Sequence, residues 1–275
     1  MASKLFSWIL ILNILLTSGC TIFQSKTELA GSLAEQGNLV PVIFQTELFA
    51  IRGFQRFTDP SSPLVVYLEG DGAAWRNKRS PAADPTPRNP LALKLVIRDP
   101  AANVLYLARP CQYISGSQCR PEYWSSHRYG TAVSRAINQA LDQGRVISGS
   151  SRIVLIGYSG GGTLAALVSG QREDVCRLIT IAANLDVSGW TAFHRVDPLW
   201  GSDTPMRHAG TLQHVPQIHL VGSEDTIVPE AIVQSYLDAL PDQSGSRLLV
   251  IADTDHHAGW VEKWPLILEE LRGCP

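Results

Sequence analysis

Residues 152–162 have the sequence Arg-Ile-Val-Leu-Ile-Gly-Tyr-Ser-Gly-Gly-Gly, and no other stretch says as much about the architecture. The apolar, β-branched run at 152–156 predicts a buried strand. The glycines after it favour a sharp turn, and the apolar run at 164–168 predicts a buried helix. A serine at such a turn has a strained backbone and exposes its hydroxyl group above the sheet edge. The stretch therefore predicts Ser159 as a nucleophile, with the N–H group of Gly160 facing any oxyanion formed there.

Two other interpretations of this turn stay open. A glycine-rich turn between a strand and a helix can bind a phosphate or a dinucleotide, or it can simply be a tight packing turn. The turn lacks both the Gly-Lys-Ser/Thr sequence and the Gly-x-Gly-x-x-Gly spacing. These absences favour the nucleophile over the phosphate site.

The rest of the chain alternates short apolar runs with helical patterns. Strands are predicted at residues 49–57, 64–68, 103–107, 178–182, 218–221 and 248–251. Helices are predicted at 123–141, 229–240 and 260–272, and a loop at 76–90. This alternation indicates an α/β fold, with a mostly parallel sheet covered by helices on both faces and an antiparallel hairpin at its start. Because no repeat or linker interrupts it, residues 45–275 are predicted to form one domain.

Composition excludes several classes of protein. The chain has 23 basic and 25 acidic residues, and 45% of its residues are hydrophobic. The near-neutral charge argues against a nucleic-acid-binding protein, and the apolar content argues against disorder. No Cys-x-x-Cys or paired Cys/His spacing suggests a metal site. Nothing in the sequence implies a cofactor, and the oligomeric state cannot be derived from it.

The N-terminal 19 residues are predicted to be a signal peptide. Lys4 precedes an apolar run at 5–16 that is shorter than the about 20 residues a membrane span needs. Ser18-Gly19-Cys20 resembles the lipobox of bacterial lipoproteins, with Thr17 where Leu is usual; an ordinary cleaved signal and a short anchor are the alternatives. The resemblance implies a lipid on Cys20 and a cell-envelope location, and Thr21 implies the outer membrane in a Gram-negative bacterium. Residues 20–44 are predicted to be the lipidated cysteine and its tether.

Export gives the remaining four cysteines a role. An oxidising compartment permits two disulfides, and four cysteines allow three pairings. The short separation favours Cys111–Cys119, which leaves Cys176–Cys274. Free buried thiols are the alternative.

A serine nucleophile needs an acid and a base on loops that follow later strands. Asp225 follows the strand at 218–221, and Glu224 and Asp186 are its rivals. Two adjacent histidines, His256 and His257, follow the strand at 248–251, and geometry alone does not separate them.

Together these segments resemble the α/β-hydrolase superfamily over residues 45–272. The order is a strand with Gly-Tyr-Ser-Gly-Gly, a strand with Gly-Ser-Glu-Asp-x-Ile-Val-Pro, and a strand followed by His. They also look like a bacterial branch of exported or lipoprotein-type hydrolases of poorly defined activity. In that branch the pattern Asp-His-x-x-x-Trp-x-x-x-Trp-Pro, here at 255–265, selects His256 over His257.

The resemblance implies roles for these residues. Ser159 would attack an acyl carbonyl group, His256 would take its proton, and Asp225 would orient the imidazole. The N–H groups of Gly160 and of either Asp71 or Gly72 would hold the oxyanion. A carboxylate at position 71 would repel that oxyanion unless it is paired, and Arg76 and Arg109 are its predicted partners.

The expected function is therefore that of a cell-envelope serine hydrolase that cleaves an ester or thioester of a small acyl substrate through an acyl-enzyme. The alternatives are a non-catalytic envelope lipoprotein with the same fold, and an acyltransferase or peptidase with the same triad. The largest insertion, residues 184–214, contains Trp190, Phe193 and Trp200. These side chains are expected either to pack on the core or to cover the acyl group.

Overall fold

The computed structural model describes residues 24–77, 80–271 and 273–274. The predicted signal peptide, Cys20 and Thr21 lie outside the described residues. Among the residues described, no helix is long and apolar enough to cross a membrane.

Within these ranges the chain forms an eight-stranded sheet and a separate two-stranded hairpin. The strands are β1 (Val40–Gln45), β2 (Ala50–Phe57), β3 (Leu64–Leu68), β4 (Trp75–Asn77), β5 (Ser80–Pro81), β6 (Asn103–Leu107), β7 (Ile153–Tyr158), β8 (Val175–Ile181), β9 (Gln217–Gly222) and β10 (Ser246–Ile251). The large sheet has the order β1-β2-β6-β3-β7-β8-β9-β10. Among the described strands of this sheet, β2 pairs antiparallel with β1 on one side and with β6 on the other, and all other neighbours are parallel. The mostly parallel α/β architecture is confirmed.

Helices cover both faces of the sheet. They are α1 (Lys26–Gln36), α2 (Leu91–Val96), α3 (Thr131–Ser148), α4 (Gly160–Ser169), α5 (Val187–His194), α6 (Ala209–Leu212), α7 (Glu230–Asp238) and α8 (Trp260–Leu271), with 3₁₀ turns at Pro121–Trp124 and Pro205–His208. Successive side chains of a strand point to opposite faces. Accordingly, Leu64, Val66 and Leu68 of β3 join one core cluster with α3, α4 and α7, while Tyr67 joins the other with α1, α2 and α8. The central strands are buried on both sides, as their continuous apolar sequence predicts.

The predicted tether at 20–44 is too long, because helix α1 and most of strand β1 lie within it. The Ser25 hydroxyl oxygen accepts the N–H group of Glu28, and the Glu28 carboxylate accepts that of Ser25, so a capping box starts α1. Ala30 and Ala34 lie four residues apart on the buried face of this helix. Strand β1 then pairs with β2 in the main sheet. The small residues that suggested a linker are therefore the packing face of α1.

Two local predictions also differ from the structure. The predicted loop at 76–90 contains the β4–β5 hairpin. The predicted helix at 123–141 is divided into a 3₁₀ turn, Pro121–Trp124, and helix α3, which starts only after Gly130. Gly130 lies so close to its surroundings that a Cβ atom there would be 2.6 Å from the main-chain oxygen of Gly201. Gly130 is the N-cap residue of α3 and has an extended conformation, with φ −74° and ψ 166°, which interrupts the helical segment.

Both predicted disulfides are present. Cys111 pairs with Cys119 beside the sheet edge, and Cys176 of β8 pairs with Cys274 after α8. The second bond joins residues 98 positions apart and ties the end of the chain to the central sheet. None of these four cysteines is a free thiol.

Candidate active site

Ser159 occupies the turn between β7 and α4 in a strained conformation. Its φ angle is +51° and its ψ angle −124°, values that a residue with a side chain adopts only under constraint. A Cβ atom at Gly157 would lie 2.5 Å from the Gly161 oxygen, and one at Gly161 would lie 2.4 Å from the Glu69 oxygen. The flanking glycines are thus required for the close approach of α4 to the sheet, and the turn carries Ser159 to the carboxyl end of the parallel strands.

His256 contacts the Ser159 hydroxyl group. The His256 Nε2 atom lies 3.0 Å from the Ser159 Oγ atom, within hydrogen-bond reach for a general base. The His256 Nδ1 atom lies 2.8 Å from the Asp225 Oδ2 atom. Both His256 and Asp225 are buried. The three side chains therefore form one hydrogen-bonded chain, with the imidazole between the hydroxyl and the carboxylate.

Main-chain N–H groups hold the Asp225 carboxylate through the oxygen atom that does not contact His256. Its Oδ1 atom accepts the N–H groups of Ile227, at 2.8 Å, and Val228, at 2.7 Å. The rival carboxylates lie elsewhere, since Glu224 is exposed and Asp186 caps α5 by accepting the N–H group of Gly189. Of the three predicted acids, the structure brings only Asp225 to the histidine.

The two adjacent histidines occupy different environments. The largely exposed His257 has its Nδ1 atom 2.9 Å from the Tyr158 hydroxyl oxygen. That hydroxyl group donates to the main-chain oxygen of His256, at 3.0 Å. The partial loss of solvent around its ring lowers the pKa of His257, and the neighbouring His256 lowers it further. The structure thus places His256 at Ser159, and His257 against the tyrosine beside it.

The predicted oxyanion loop follows β3 and lies against the start of α4. Within the part of the chain that the structure describes, the N–H groups of Asp71, Gly72 and Gly160 have no hydrogen-bond acceptor. The Gly160 N–H group also lies at the positive end of a helix dipole. Gly72 has a φ angle of +64°, which favours glycine. The N–H groups of Gly160 and of both Asp71 and Gly72 are therefore available as donors.

Asp71 is neutralised by two buried arginines. Arg109 Nη1 contacts its Oδ1 atom, and Arg128 Nε lies 3.3 Å from its Oδ2 atom. Burial alone would raise the pKa of Asp71, but the guanidinium groups of Arg128 and Arg109 outweigh it and hold the pKa below its usual value. Of the two predicted partners, Arg109 pairs with Asp71 and Arg76 does not. Because two cations face the Asp71 carboxylate, they offset the repulsion that this carboxylate would exert on an anion at the oxyanion loop.

Glu69 is a second buried carboxyl group beneath the same loop. Its Oε1 atom accepts the N–H group of Gly70, at 3.0 Å, and its Oε2 atom accepts the Tyr106 hydroxyl group, at 3.2 Å. Burial raises its pKa to about 7, although these hydrogen bonds act in the opposite direction. This buried carboxyl group was not predicted from the sequence, because its partner Tyr106 lies on another strand.

A cavity of about 880 Å³ opens above Ser159 and His256. Trp190, Ile227 and Val228 supply apolar lining, while Arg128 and Asn184 supply polar lining. The insertion at 184–214 therefore divides into two parts. Trp190 lines the cavity and its indole N–H group donates to the Ile227 oxygen, at 2.8 Å.

Phe193 and Trp200 do not line the cavity and are 57% and 77% exposed. Over the described ranges, no group of three or more His, Cys, Asp or Glu side chains is arranged to hold a metal ion.

Sequence reasoning missed three residues near this site. Arg128 and Tyr129 contact Asp71, and Tyr158 contacts both histidines. Arg128 lies in the segment predicted as a helix at 123–141, and its sequence context carries no sign of the carboxylate 57 residues earlier. Tyr158 lies inside the serine motif, where any residue type is accepted.

No family model matches the sequence, and no curated protein matches it. Solved structures, in contrast, share its fold. Est1E from Butyrivibrio proteoclasticus superposes with a TM-score of 0.61 at 11% identity, covering 84% of this chain and 96% of the other. A Pyrococcus furiosus esterase gives 0.58 at 16% identity, covering 86% and 91%. A Xanthomonas campestris serine hydrolase without a lid gives 0.56 at 12% identity, covering 86% and 96%. The α/β-hydrolase fold predicted from the sequence is therefore confirmed.

Proposed function

We propose that this α/β-hydrolase-fold protein is a serine hydrolase that cleaves carboxylic esters or thioesters through an acyl-enzyme. The observation that carries the proposal is the hydrogen-bonded chain from Ser159 through His256 to Asp225 at the base of an open cavity. The fold is shared with esterases and serine hydrolases, which supports the same class of reaction. Fold alone does not define an activity, so the site must carry the argument.

The proposed reaction begins with attack of the Ser159 oxygen on the acyl carbonyl carbon while His256 Nε2 takes the hydroxyl proton. Asp225 holds the imidazole in the tautomer with Nδ1 protonated and stabilises the imidazolium that forms. The tetrahedral oxyanion accepts N–H groups from Gly160 and from Asp71 or Gly72. The C–O or C–S bond to the leaving group then breaks, and the imidazolium gives that group its proton. A water molecule then attacks the acyl-enzyme in the same way, with His256 taking its proton, and the carboxylic acid is released from Ser159.

The same geometry argues against a purely structural role. A serine held at φ +51° stores strain that a packing turn does not need. Among the described residues, the N–H groups of Asp71, Gly72 and Gly160 have no acceptor, and a non-catalytic protein gains nothing from leaving them so. Together these features match what acyl transfer requires.

Hydrolysis of p-nitrophenyl esters with acyl chains of two to twelve carbons tests the proposal. The wild-type protein is expected to hydrolyse at least the short esters, and Ser159→Ala is expected to lose the activity. Added methanol separates hydrolysis from acyl transfer, since an acyltransferase would form the methyl ester in preference to the acid. Activity that survives Ser159→Ala undiminished would contradict the proposal.

We further propose that Cys20 carries a lipid that anchors the protein in a bacterial cell envelope, at the outer membrane in a Gram-negative host. The support is the sequence at 17–21 and the two disulfides, which suit an oxidising compartment. Ser25, the N-cap residue of α1, stands five positions after Cys20, and even a fully extended chain of that length spans at most about 18 Å. The domain would therefore lie close to the membrane. Mass spectrometry of the unreduced, mature protein should show an acylated Cys20 and no free thiol.

A further inference from the structure

The cavity above Ser159 carries positive charge that the described residues do not balance. Its lining has the four cations Lys26, Arg76, Arg88 and Arg128 and the three carboxyl groups Glu69, Asp71 and Asp84. Glu69 accepts hydrogen bonds from Gly70 and Tyr106. Lys26 pairs with Asp84 at 2.7 Å, and Arg128 shares Asp71 with Arg109. These contacts occupy the aspartates of the lining.

Two of these cations, Arg76 and Arg88, have no partner among the residues that the structure describes. Neither makes an ion pair or a side-chain hydrogen bond with any residue that the structure describes, and both are exposed. Arg76 lies on β4 and Arg88 lies on the loop that leads to α2, so both belong to the segment between β3 and α2. Their guanidinium groups are free to meet a ligand that enters the cavity.

The positive charge is concentrated at this cavity and is not a property of the whole chain. The whole chain has a net charge of −2, whereas two unpaired arginines and the surplus cation of the Asp71 cluster surround one cavity. Charge of one sign in a cleft concentrates the field there and raises the local concentration of oppositely charged substrates. The guanidinium fork also matches the geometry of carboxylate and phosphate groups.

We propose that the substrate is an ester that carries a carboxylate or phosphate group, which Arg76 and Arg88 bind while the acyl carbonyl group lies at Ser159. The inference rests on the proposed hydrolase function and names the class of ester. The apolar part of the substrate contacts Trp190, Ile227 and Val228, which line the same cavity. The bound molecule is thus an amphipathic anion.

Two matched ester pairs test the inference. Mono-p-nitrophenyl glutarate and p-nitrophenyl butyrate differ by a carboxylate on the acyl side. Butyryloxybenzoate and phenyl butyrate differ by a carboxylate on the alcohol side. The quantity measured is the ratio of kcat/KM for the anionic ester to that for the neutral ester, in 20 mM and 500 mM NaCl. The pair with the larger ratio identifies the side of the ester that carries the anion.

In the wild-type protein at low salt, at least one pair is expected to favour the anionic ester. In Arg76→Gln/Arg88→Gln this ratio is expected to fall about 10- to 30-fold, because two charge-assisted contacts are lost. The control Arg98→Gln/Arg247→Gln removes the same charge at exposed positions outside the cavity lining. It is expected to keep the wild-type ratio. High salt should reduce the wild-type ratio and leave that of the cavity variant almost unchanged.

A ratio that is the same in wild type and cavity variant, with neutral esters still hydrolysed, would overturn the inference and leave the proposed function standing. A complete absence of hydrolysis with all four esters would overturn the proposed function itself. Calorimetry with Ser159→Ala gives an independent measurement, since the anionic ester should bind more tightly to it than to Arg76→Gln/Arg88→Gln/Ser159→Ala. Equal affinities would also overturn the inference.

Discussion

The hydroxyl oxygen of Tyr158 lies 3.0 Å from the main-chain oxygen of His256, so the residue before the proposed nucleophile holds the loop that carries the proposed base. The same hydroxyl group lies 2.9 Å from His257 Nδ1. Tyr158 is buried and belongs to the last position of β7. The tyrosine therefore connects the serine turn to the histidine loop across 98 residues of sequence.

Tyr158→Phe keeps the aromatic ring and removes only the hydroxyl group that contacts the His256 main-chain oxygen and His257 Nδ1. We expect kcat to fall about 5- to 20-fold with KM almost unchanged, and stability to fall by about 1–3 kcal/mol, because the buried carbonyl oxygen of His256 loses its donor. Steady-state kinetics and urea unfolding measure the two effects. A proportionate change in KM, or a loss of stability without any loss of kcat, would argue against a positioning role.

The two histidines are expected to differ sharply on substitution. His256→Gln should lower kcat by about 10⁴-fold or more, as expected for removal of a triad base. His257→Gln, the matched control one residue later, should retain activity within about 10-fold, because it contacts Tyr158 rather than Ser159. Equal losses in the two variants would show that the geometry has assigned the base to the wrong residue.

Asp71→Asn is expected to destabilise the protein by about 3 kcal/mol at pH 7, because Arg109 and Arg128 would remain buried without their counter-charge. The pKa of Asp71 is lowered in the folded state, so its contribution is present above the ordinary value of 3.8 and is lost as the pH falls below it. The difference in free energy of unfolding between wild type and Asp71→Asn should therefore become smaller at acidic pH. Asp84→Asn breaks the more exposed pair with Lys26 and should cost about 1 kcal/mol or less.

Glu69→Gln should change how stability depends on pH. The pKa of this buried carboxyl group is raised from 4.5 to about 7, so the folded state binds more protons than the unfolded state between those values. Wild-type stability is therefore lost as the pH rises from about 4.5 to 7, by roughly 3 kcal/mol. Because Gln cannot ionise, the free energy of unfolding of the variant should increase relative to that of the wild type from pH 5 to pH 8. Denaturant unfolding measures this difference. A constant difference between the two proteins over that range would contradict the assignment.

The parts of this site that the sequence predicted are those that local pattern determines. Ser159 follows from a strand, a glycine turn and a helix in one short stretch, and Asp225 follows from the end of a predicted strand. Because parallel strands end at one edge of the sheet, residues at those ends meet. The choice of His256 over His257 needed a resemblance, since both stand in the same loop.

The parts that could not be predicted depend on contacts between distant elements. The pairing of Asp71 with Arg128 joins the turn after β3 to the segment before α3, and the sequence does not define the path of that segment. The error at α1 has another cause, because small residues favour both linkers and tightly packed helices. Here the four-residue spacing of Ala30 and Ala34, with the capping pair Ser25 and Glu28, was the available signal for a helix.

Covalent labelling by a fluorophosphonate probe tests the central claim most directly, because it requires a serine hydroxyl group activated by a neighbouring base. The folded protein should gain one probe mass, peptide mapping should locate it on Ser159, and Ser159→Ala should remain unlabelled. Labelling should fall steeply in His256→Gln and persist in His257→Gln. A folded wild-type protein that is not labelled, or is labelled at another residue, would contradict the account.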